Sequence, residues 1–186
     1  MDELTANKKK LLTIRIVTVS AIILLIAGIF VIKSFSDKTE KGSAANEGGL
    51  TVEHIPLAVS QVDLETLKSY KLPMVIDFGS DSCIPCQQMA PVLVTLNEEW
   101  QGKAIVQFVD VWKYTDAAND YPVSVIPTQV FFNADGTPYV PSESMQQSME
   151  FMMYTLKTTG EHVFTTHQGG LTEDQMRLIF AEMGVE

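Results

Sequence analysis

Two cysteines separated by two residues are the side chains best suited to chemistry in this chain. Cys83 and Cys86 are its only cysteines, and a structural disulfide would normally join more distant positions and close a longer loop. An apolar run before them predicts a buried strand, and the residues after them predict a helix. Because a helix N-terminus stabilises a thiolate, we expect Cys83 to attack a disulfide and Cys86 to resolve the mixed disulfide.

Other uses of this cysteine pair have less support in the sequence. The chain contains no second Cys-x-x-Cys and no His-x-x-x-His motif, which argues against half of a zinc site. Attachment of haem would need histidine at position 87, where the chain has Gln87. A chance pair of inert cysteines is a further alternative. We therefore predict a redox pair that needs no metal and no cofactor.

Asp77 is the charged residue inside the apolar run at 74–78. Burial of an unpaired carboxylate is unfavourable and raises the pKa of the group. A carboxylate of raised pKa can accept a proton near neutral pH, so we expect Asp77 to take the proton of Cys86, through a water molecule, during resolution. The alternative is that the strand turns this side chain to solvent at the end of the sheet.

The helices and strands that must position these residues follow from apolar periodicity and capping residues. Asp63 can cap a short helix, and Thr172 with Gln175 forms a capping box before the last one. The predicted order is a helix at 64–70, a strand at 74–78, a helix at 87–100, a strand at 104–111, a short helix at 116–121, strands at 128–132 and 161–167, and a helix up to 183. This order predicts an α/β fold, in which a mixed β-sheet is flanked by helices.

The N-terminal part of the chain predicts a membrane anchor. Residues 16–32 contain no charge, and with the apolar residues from position 11 they reach the length of about 20 residues that crosses a bilayer. Basic residues before the span favour a cytoplasmic N-terminus. We predict a cytoplasmic segment at 1–10, an uncleaved transmembrane helix at 11–32, a flexible linker at 33–50, and a folded domain at 51–186 outside the cytoplasm. A cleaved signal peptide is the alternative.

Charge is distributed unevenly along the chain. The formal net charge is −10, and the residues after position 50 include 18 acidic but only 6 basic side chains. A domain of this charge is repelled by phosphate backbones. We therefore predict that nucleic acid is not a partner.

An apolar stripe is predicted within residues 137–160. Met145, Met149, Met152, Met153 and Leu156 recur there at helical spacing. We expect the stripe to pack this segment onto the rest of the domain. A methionine-lined docking surface and a Cu(I) site are alternatives, because methionine side chains are adaptable and their sulfur is a soft ligand.

Further motifs accompany the cysteine pair, namely Met89-Ala90-Pro91, Val125-Ile126-Pro127-Thr128 and Gly169-Gly170-Leu171. Together with the strand that carries Asp77, they resemble the thioredoxin family over most of residues 57–183. The resemblance implies a thioredoxin-like fold in which residues 137–160 are an insertion. It also implies that Pro127 is a cis proline facing the sulfurs and that Ile126 offers its backbone to an extended substrate. Ile84 and Pro85 complete the expected substrate-binding surface.

Three positions depart from the pattern of that family. Ser82 stands where tryptophan is usual, Ile84 where glycine is usual, and Phe108 where a buried lysine commonly pairs with the aspartate. The scarcity of cationic groups near the cysteines favours a reductase. We therefore predict a membrane-tethered reductase of extracytoplasmic protein disulfides, and the resemblance implies an integral membrane protein as its electron donor. An oxidase or isomerase that runs the exchange in the other direction, and a non-catalytic adaptor, are the alternatives.

Overall fold

A computed structural model describes residues 54–186, which contain a six-stranded mixed sheet. The strands are β1 (Ala58–Val59), β2 (Met74–Gly79), β3 (Ile105–Asp110), β4 (Thr128–Phe132), β5 (Phe151–Thr155) and β6 (His162–Gln168). The helices are α1 (Leu64–Ser69), α2 (Ile84–Glu99), α3 (Glu143–Ser148) and α4 (Glu173–Glu182), and a 3-10 helix spans Thr115–Ala118. The strand order across the sheet is β1-β3-β2-β4-β6-β5. The predicted α/β fold with a mixed sheet is confirmed.

Strand β2 lies in the middle of this sheet and joins its parallel and antiparallel parts. It pairs in parallel with β3 and antiparallel with β4. All six of its residues are buried, as an apolar strand covered on both faces requires. Helix α2 follows β2 after a short turn, so the sheet fixes where that helix begins.

Two apolar clusters cover the two faces of the sheet. On one face, Val75 and Phe131 pack with Leu93 of α2 and Phe180 of α4. On the other face, the apolar side chains of β2 and β4 pack against α1 and the 3-10 helix, including Ile76, Phe78, Val130, Leu67 and Ala117. Because side chains alternate along a strand, the odd-numbered residues of β2 face α2 and the even-numbered ones face α1.

The capping residues predicted from the sequence take their expected places. The side chain of Asp63 accepts a hydrogen bond from the backbone N–H of Thr66 at 3.0 Å. Thr172 and Gln175 form a reciprocal capping box at the start of α4. These bonds satisfy N–H groups that the first turn of a helix leaves unpaired.

The single helical stripe predicted at 145–156 is wrong. Helix α3 ends at Ser148, Met149 has an extended backbone (φ −139°, ψ 127°), and the chain continues as β5. Met145 and Met149 are buried in the core, whereas Met153 is 53% exposed. The helical prediction failed because β5 pairs with β6 beyond Met149, and side chains along a strand alternate with a period of two residues. Packing onto the domain is thus observed for two of the methionines.

Several smaller differences separate the predicted and observed elements. Strands β1 and β5 were not predicted, and both lie at the edges of the sheet. Helix α2 begins at Ile84 instead of residue 87, and the 3-10 helix ends at Ala118 instead of residue 121. The two edge strands are short or partly polar, so their periodicity carries little signal without the neighbouring strand.

No helix within residues 54–186 is long and apolar enough to cross a membrane. The transmembrane helix predicted at 11–32 and the linker predicted at 33–50 lie outside the described residues.

Replacement of Met145 by alanine tests whether the segment at 137–160 is part of the core. We expect Met145→Ala to lower the free energy of unfolding by about 2 to 4 kcal/mol, because it leaves a cavity in a packed cluster. Met153→Ala is the matched control and should change stability by less than about 0.5 kcal/mol, since its side chain is exposed. Urea unfolding monitored by fluorescence measures both. Equal losses for the two variants would contradict the burial of Met145.

Candidate active site

The two cysteines lie at the start of α2, directly after the turn that follows β2. Cys83 is the N-cap residue, with an extended backbone (φ −89°, ψ 122°), and Cys86 lies in the first turn. Pro85 occupies the first turn, where a missing N–H leaves no bond unmade. Both thiols are reduced, and the two cysteines are 8% and 4% exposed, respectively. Both cysteines are therefore largely buried, and Cys83 is slightly the more exposed of the two.

The segment before β4 lies against the first cysteine. The Ile126–Pro127 peptide bond is cis, as the family resemblance implied. The Sγ of Cys83 lies 3.9 Å from the backbone oxygen of Ile126. Pro127 is buried and Ile126 half-buried, whereas Ile84 is 69% exposed beside the cysteines. The structure therefore brings Ile126 and Pro127 to Cys83, and their roles in substrate binding stay predictions.

Asp77 is buried inside β2, with an exposure of 1%. Its Oδ1 accepts a hydrogen bond from Nε2 of Gln129 at 2.7 Å. Its Oδ2 is also buried, and no residue of 54–186 donates a hydrogen bond to it. Burial raises the pKa of Asp77 to about 7, although the bond from Gln129 acts in the opposite direction. The alternative that this side chain turns to solvent is wrong.

Gly79 leaves space between the carboxylate and the second cysteine. A Cβ at this position would lie 3.2 Å from Oδ2 of Asp77, 3.2 Å from Sγ of Cys86 and 2.9 Å from the Phe108 ring. Oδ2 of Asp77 and Sγ of Cys86 are therefore no more than twice 3.2 Å apart. A side chain at position 79 would have to displace these groups or the Phe108 ring. The absence of a side chain at Gly79 therefore lets the carboxylate and the thiol lie close together, as transfer of a proton between them requires.

The thiol of Cys86 holds its proton tightly. Burial, a hydrogen bond with the Cys83 thiol and the negative charges of Cys83 and Asp77 raise the pKa of Cys86 to about 12. A bond from the backbone of Ser80 lowers the pKa only in part. A thiol of this pKa is almost fully protonated at neutral pH, so its attack on a disulfide requires a base nearby.

A cavity of about 540 Å³ opens beside Cys86 on the side of β1 and β3. Leu57, Ser80, Cys86, Ala90, Phe108 and Tyr114 are among its lining residues. Lys113, which also lines it, forms ion pairs with Asp81 and Asp110. The cavity gives solvent a route to the second sulfur from the side opposite to the Pro127 segment.

The sequence did not single out three residues of this site. Gln129 binds the Asp77 carboxylate, His167 binds Gln129, and Gly79 provides the space beside Cys86. Gln129 and His167 have no spacing along the chain that relates them to Asp77, and only the pairing of β2 with β4 and of β4 with β6 does so. Gly79 lies two residues after Asp77 in β2, so the period of two along a strand could have placed it on the same face.

Comparison with known proteins identifies the family. The model of the family described as Thioredoxin matches residues 58–153, just over half of the chain. The chain belongs to the thioredoxin family. The matched residues include both cysteines, Asp77 and Pro127, and they end inside β5.

Individual thioredoxins are similar to this chain at moderate identity. A chloroplastic thioredoxin Y of Oryza sativa subsp. japonica is 31% identical over 99 residues, which are 50% of this chain and 58% of that protein. Mitochondrial thioredoxin of Mus musculus is 29% identical over 110 residues, or 51% of this chain and 66% of the relative. A thioredoxin-like protein of Synechocystis is 32% identical over 88 residues, which are 47% of this chain and 83% of that protein. The chain thus spans less than two thirds of the first two relatives.

The described part of the chain contains no cluster of potential metal ligands. No group of three or more histidine, cysteine or acidic side chains in residues 54–186 is arranged to hold a metal ion. Met145 and Met149 lie in the core, whereas Met152 and Met153 point to opposite faces of β5. The single stripe on which the Cu(I) alternative rested is therefore not formed.

Replacement of Asp77 by asparagine tests the burial of its charge. The pKa of about 7 exceeds the ordinary value of 3.8, so ionisation of Asp77 opposes folding increasingly as pH rises from about 4 to about 7. Asp77→Asn should therefore raise the free energy of unfolding at about pH 8, by at most roughly 4 kcal/mol, and change it little near pH 4. Asp120→Asn, at an exposed position, is the control. A gain independent of pH would contradict the raised pKa.

Proposed function

We propose that this protein is a thiol–disulfide oxidoreductase, with Cys83 as the attacking and Cys86 as the resolving thiol. One observation carries the proposal: Cys83 caps the N-terminus of α2, Cys86 lies in the first turn, and a buried carboxylate with an unpaired oxygen lies beside the second thiol. The helix N-terminus favours a thiolate at the first position. Membership of the thioredoxin family supports the same chemistry.

The first step exchanges one disulfide for another. The Cys83 thiolate attacks one sulfur of a substrate disulfide, a bond forms between Cys83 and that sulfur, and the other substrate sulfur leaves as a thiolate. In the second step, Cys86 loses its proton and attacks Sγ of Cys83. A Cys83–Cys86 disulfide forms, and the second substrate sulfur leaves as a thiolate. Two electrons have then passed from the protein to the substrate.

Asp77 supplies the base for the second step. Its pKa of about 7 leaves about half of the molecules ionised at neutral pH, whereas the pKa of Cys86 is about 12. A proton passes from Cys86 to Oδ2 of Asp77 through a water molecule. It then reaches solvent through the cavity that Cys86 lines. General-base assistance of this kind contributes about 10² or more in rate.

We propose further that the protein is a reductase tethered to a membrane. The uncharged segment at 16–32 supports an N-terminal anchor, with the folded domain outside the cytoplasm. Ser82 and Ile84 beside the cysteines supply no cation that would stabilise the reduced pair and make it oxidising. The substrates are disulfide-containing proteins, and the electron donor is an integral membrane protein that returns two electrons to the Cys83–Cys86 disulfide.

The substrate meets an apolar surface around Cys83. Ile84 and Val125 are 69% and 49% exposed, and the backbone oxygen of Ile126 lies beside the sulfur. An extended peptide can bond to exposed backbone groups while its apolar side chains cover such residues. The substrate segment is therefore an extended, mainly apolar stretch that carries the cysteine.

Replacement of the resolving cysteine tests the enzymatic mechanism. Cys86→Ser should accumulate mixed disulfides through Cys83, because the second step is blocked while the first remains possible. Non-reducing electrophoresis of membranes from cells that express the full chain should show adducts that a reductant removes. Cys83→Ser is the matched control and should form none. If Cys86→Ser also forms none, the protein is an adaptor and the proposal fails.

Measurement of the reduction potential tests the direction of electron flow. A reductase is expected to have a potential near that of thioredoxin, about −270 mV, whereas strongly oxidising relatives lie near −120 mV. Equilibration of the full-length protein with glutathione mixtures, followed by trapping of thiols, gives the value. A potential above about −180 mV would favour the oxidase or isomerase instead.

A further inference from the structure

A single row of side chains crosses the whole sheet at the level of the buried carboxylate. Pairing of adjacent strands places its members directly opposite one another, in the order Ala58, Phe108, Asp77, Gln129, His167 and Phe151. Residues that oppose each other in a sheet point to the same face. Asp77, Gln129 and His167 are therefore neighbours on the face covered by α2, with an aromatic ring at each end.

Gln129 joins the other two polar side chains. It is fully buried, and its Nε2 lies 2.7 Å from Oδ1 of Asp77 and 3.5 Å from Sδ of Met89 on α2. Its Oε1 lies 3.0 Å from Nδ1 of His167. An ionised carboxylate only accepts hydrogen bonds, so the amide must direct its NH2 group to Asp77 and its oxygen to His167. Both ends of the amide are thereby occupied.

His167 fixes the orientation of that amide. Burial lowers the pKa of His167, so its ring is mostly neutral at neutral pH and carries one N–H. Placed on Nδ1, that hydrogen satisfies the oxygen of Gln129, and the backbone of Gly169 is the other group to which a ring nitrogen of His167 bonds. The ring of Phe151 packs against the imidazole, with centroids 6.0 Å apart. If the amide rotated by half a turn, its oxygen would face the carboxylate oxygen and its NH2 group would face an N–H.

The charged neighbours of the row are few. Phe108 occupies the position opposite Asp77 on β3, so no cation faces the carboxylate from that strand. Cys86 faces it from α2, and Glu150, just before β5, acts on His167. Gln129 is the side-chain donor that Asp77 has within residues 54–186. The protonation of Asp77 therefore depends on its hydrogen bond from the neutral amide of Gln129.

We propose that Gln129 and His167 are positioning residues for Asp77: the amide of Gln129 holds one carboxylate oxygen, and His167 fixes the direction of the amide, so that the other oxygen faces Cys86. This inference rests on the proposed thiol–disulfide exchange, because its consequence is the rate of the second step. Loss of the amide leaves Oδ1 unpaired and favours the protonated carboxyl. Less base is then available at neutral pH, and Cys86 loses its proton more slowly.

The test follows the titration of Asp77 and the second step in the full-length protein. Carbon-13 NMR of labelled aspartate carboxyl groups reports the titration. For the rate, Cys83 is converted to a mixed disulfide with thionitrobenzoate, and release of this chromophore records the attack of Cys86. In Gln129→Met we expect the titration midpoint of Asp77 to move to higher pH. Release should slow about tenfold near pH 7 and recover as the pH is raised.

Two His167 variants provide a second test that does not depend on the folding of Gln129→Met. His167→Phe should change the titration and the rate in the same direction, because it removes the donor to Gln129. His167→Asn keeps an N–H near the position of Nδ1 and should restore values close to those of the unsubstituted protein. Thr166→Val is the matched control, since Thr166 is buried on β6 but points to the other face of the sheet.

The outcomes separate this inference from the proposed function. An unchanged midpoint of Asp77 in both Gln129→Met and His167→Phe would overturn the inference, even if both variants were less stable. Release of thionitrobenzoate that is slower by the same factor at every pH would also overturn the inference. A general structural defect slows release independently of pH, whereas a raised pKa of Asp77 slows it only at lower pH. If the unsubstituted protein releases no chromophore, the proposed function fails. The NMR titrations alone then decide whether Gln129 and His167 hold the carboxylate.

Discussion

The burial of Asp77 within the central strand is the constraint on which the rest of the site depends. Every residue of β2 is enclosed, so water cannot solvate this carboxylate as it does at a surface. The cost of burying the charge raises the pKa of Asp77 to about 7. The same enclosure makes its one hydrogen bond from Gln129 important, because few other groups compensate the charge. A carboxylate that would be inert in solvent becomes a base matched to neutral pH.

The thiols depend on the same strand through the start of α2. Since β2 leads directly into the turn before this helix, the sheet sets the position of both sulfurs relative to the carboxylate. Cys83 lies on the side of the Pro127 segment, and Cys86 lies between Asp77 and a solvent cavity. The two thiols thus have different surroundings although they are separated by only two residues. This asymmetry suits one thiol to meeting the substrate and the other to resolution.

The segment at 137–160 shows how far local periodicity predicts the backbone. The spacing of Met145 and Met149 is helical, and both side chains enter the core as α3 predicts. Beyond Met149 the spacing continues to fit a helix, but the backbone is extended. Pairing of Phe151 with His167 fixes the strand in this register and buries Phe151. Hydrogen bonds to a strand distant in sequence therefore outweighed a helical pattern that was only local.

The two thiols and the strand and helix around them could be predicted from the sequence alone, and the sequence favoured burial of Asp77. These features depend on neighbouring residues, since a run of apolar side chains defines a buried strand and Pro85 suits a helix start. The groups that contact the carboxylate could not be predicted in this way. Gln129 and His167 lie 52 and 38 positions away from their respective partners, Asp77 and Gln129. Their contacts arise from the register of β2, β4 and β6, which long-range strand pairing sets and local periodicity does not encode.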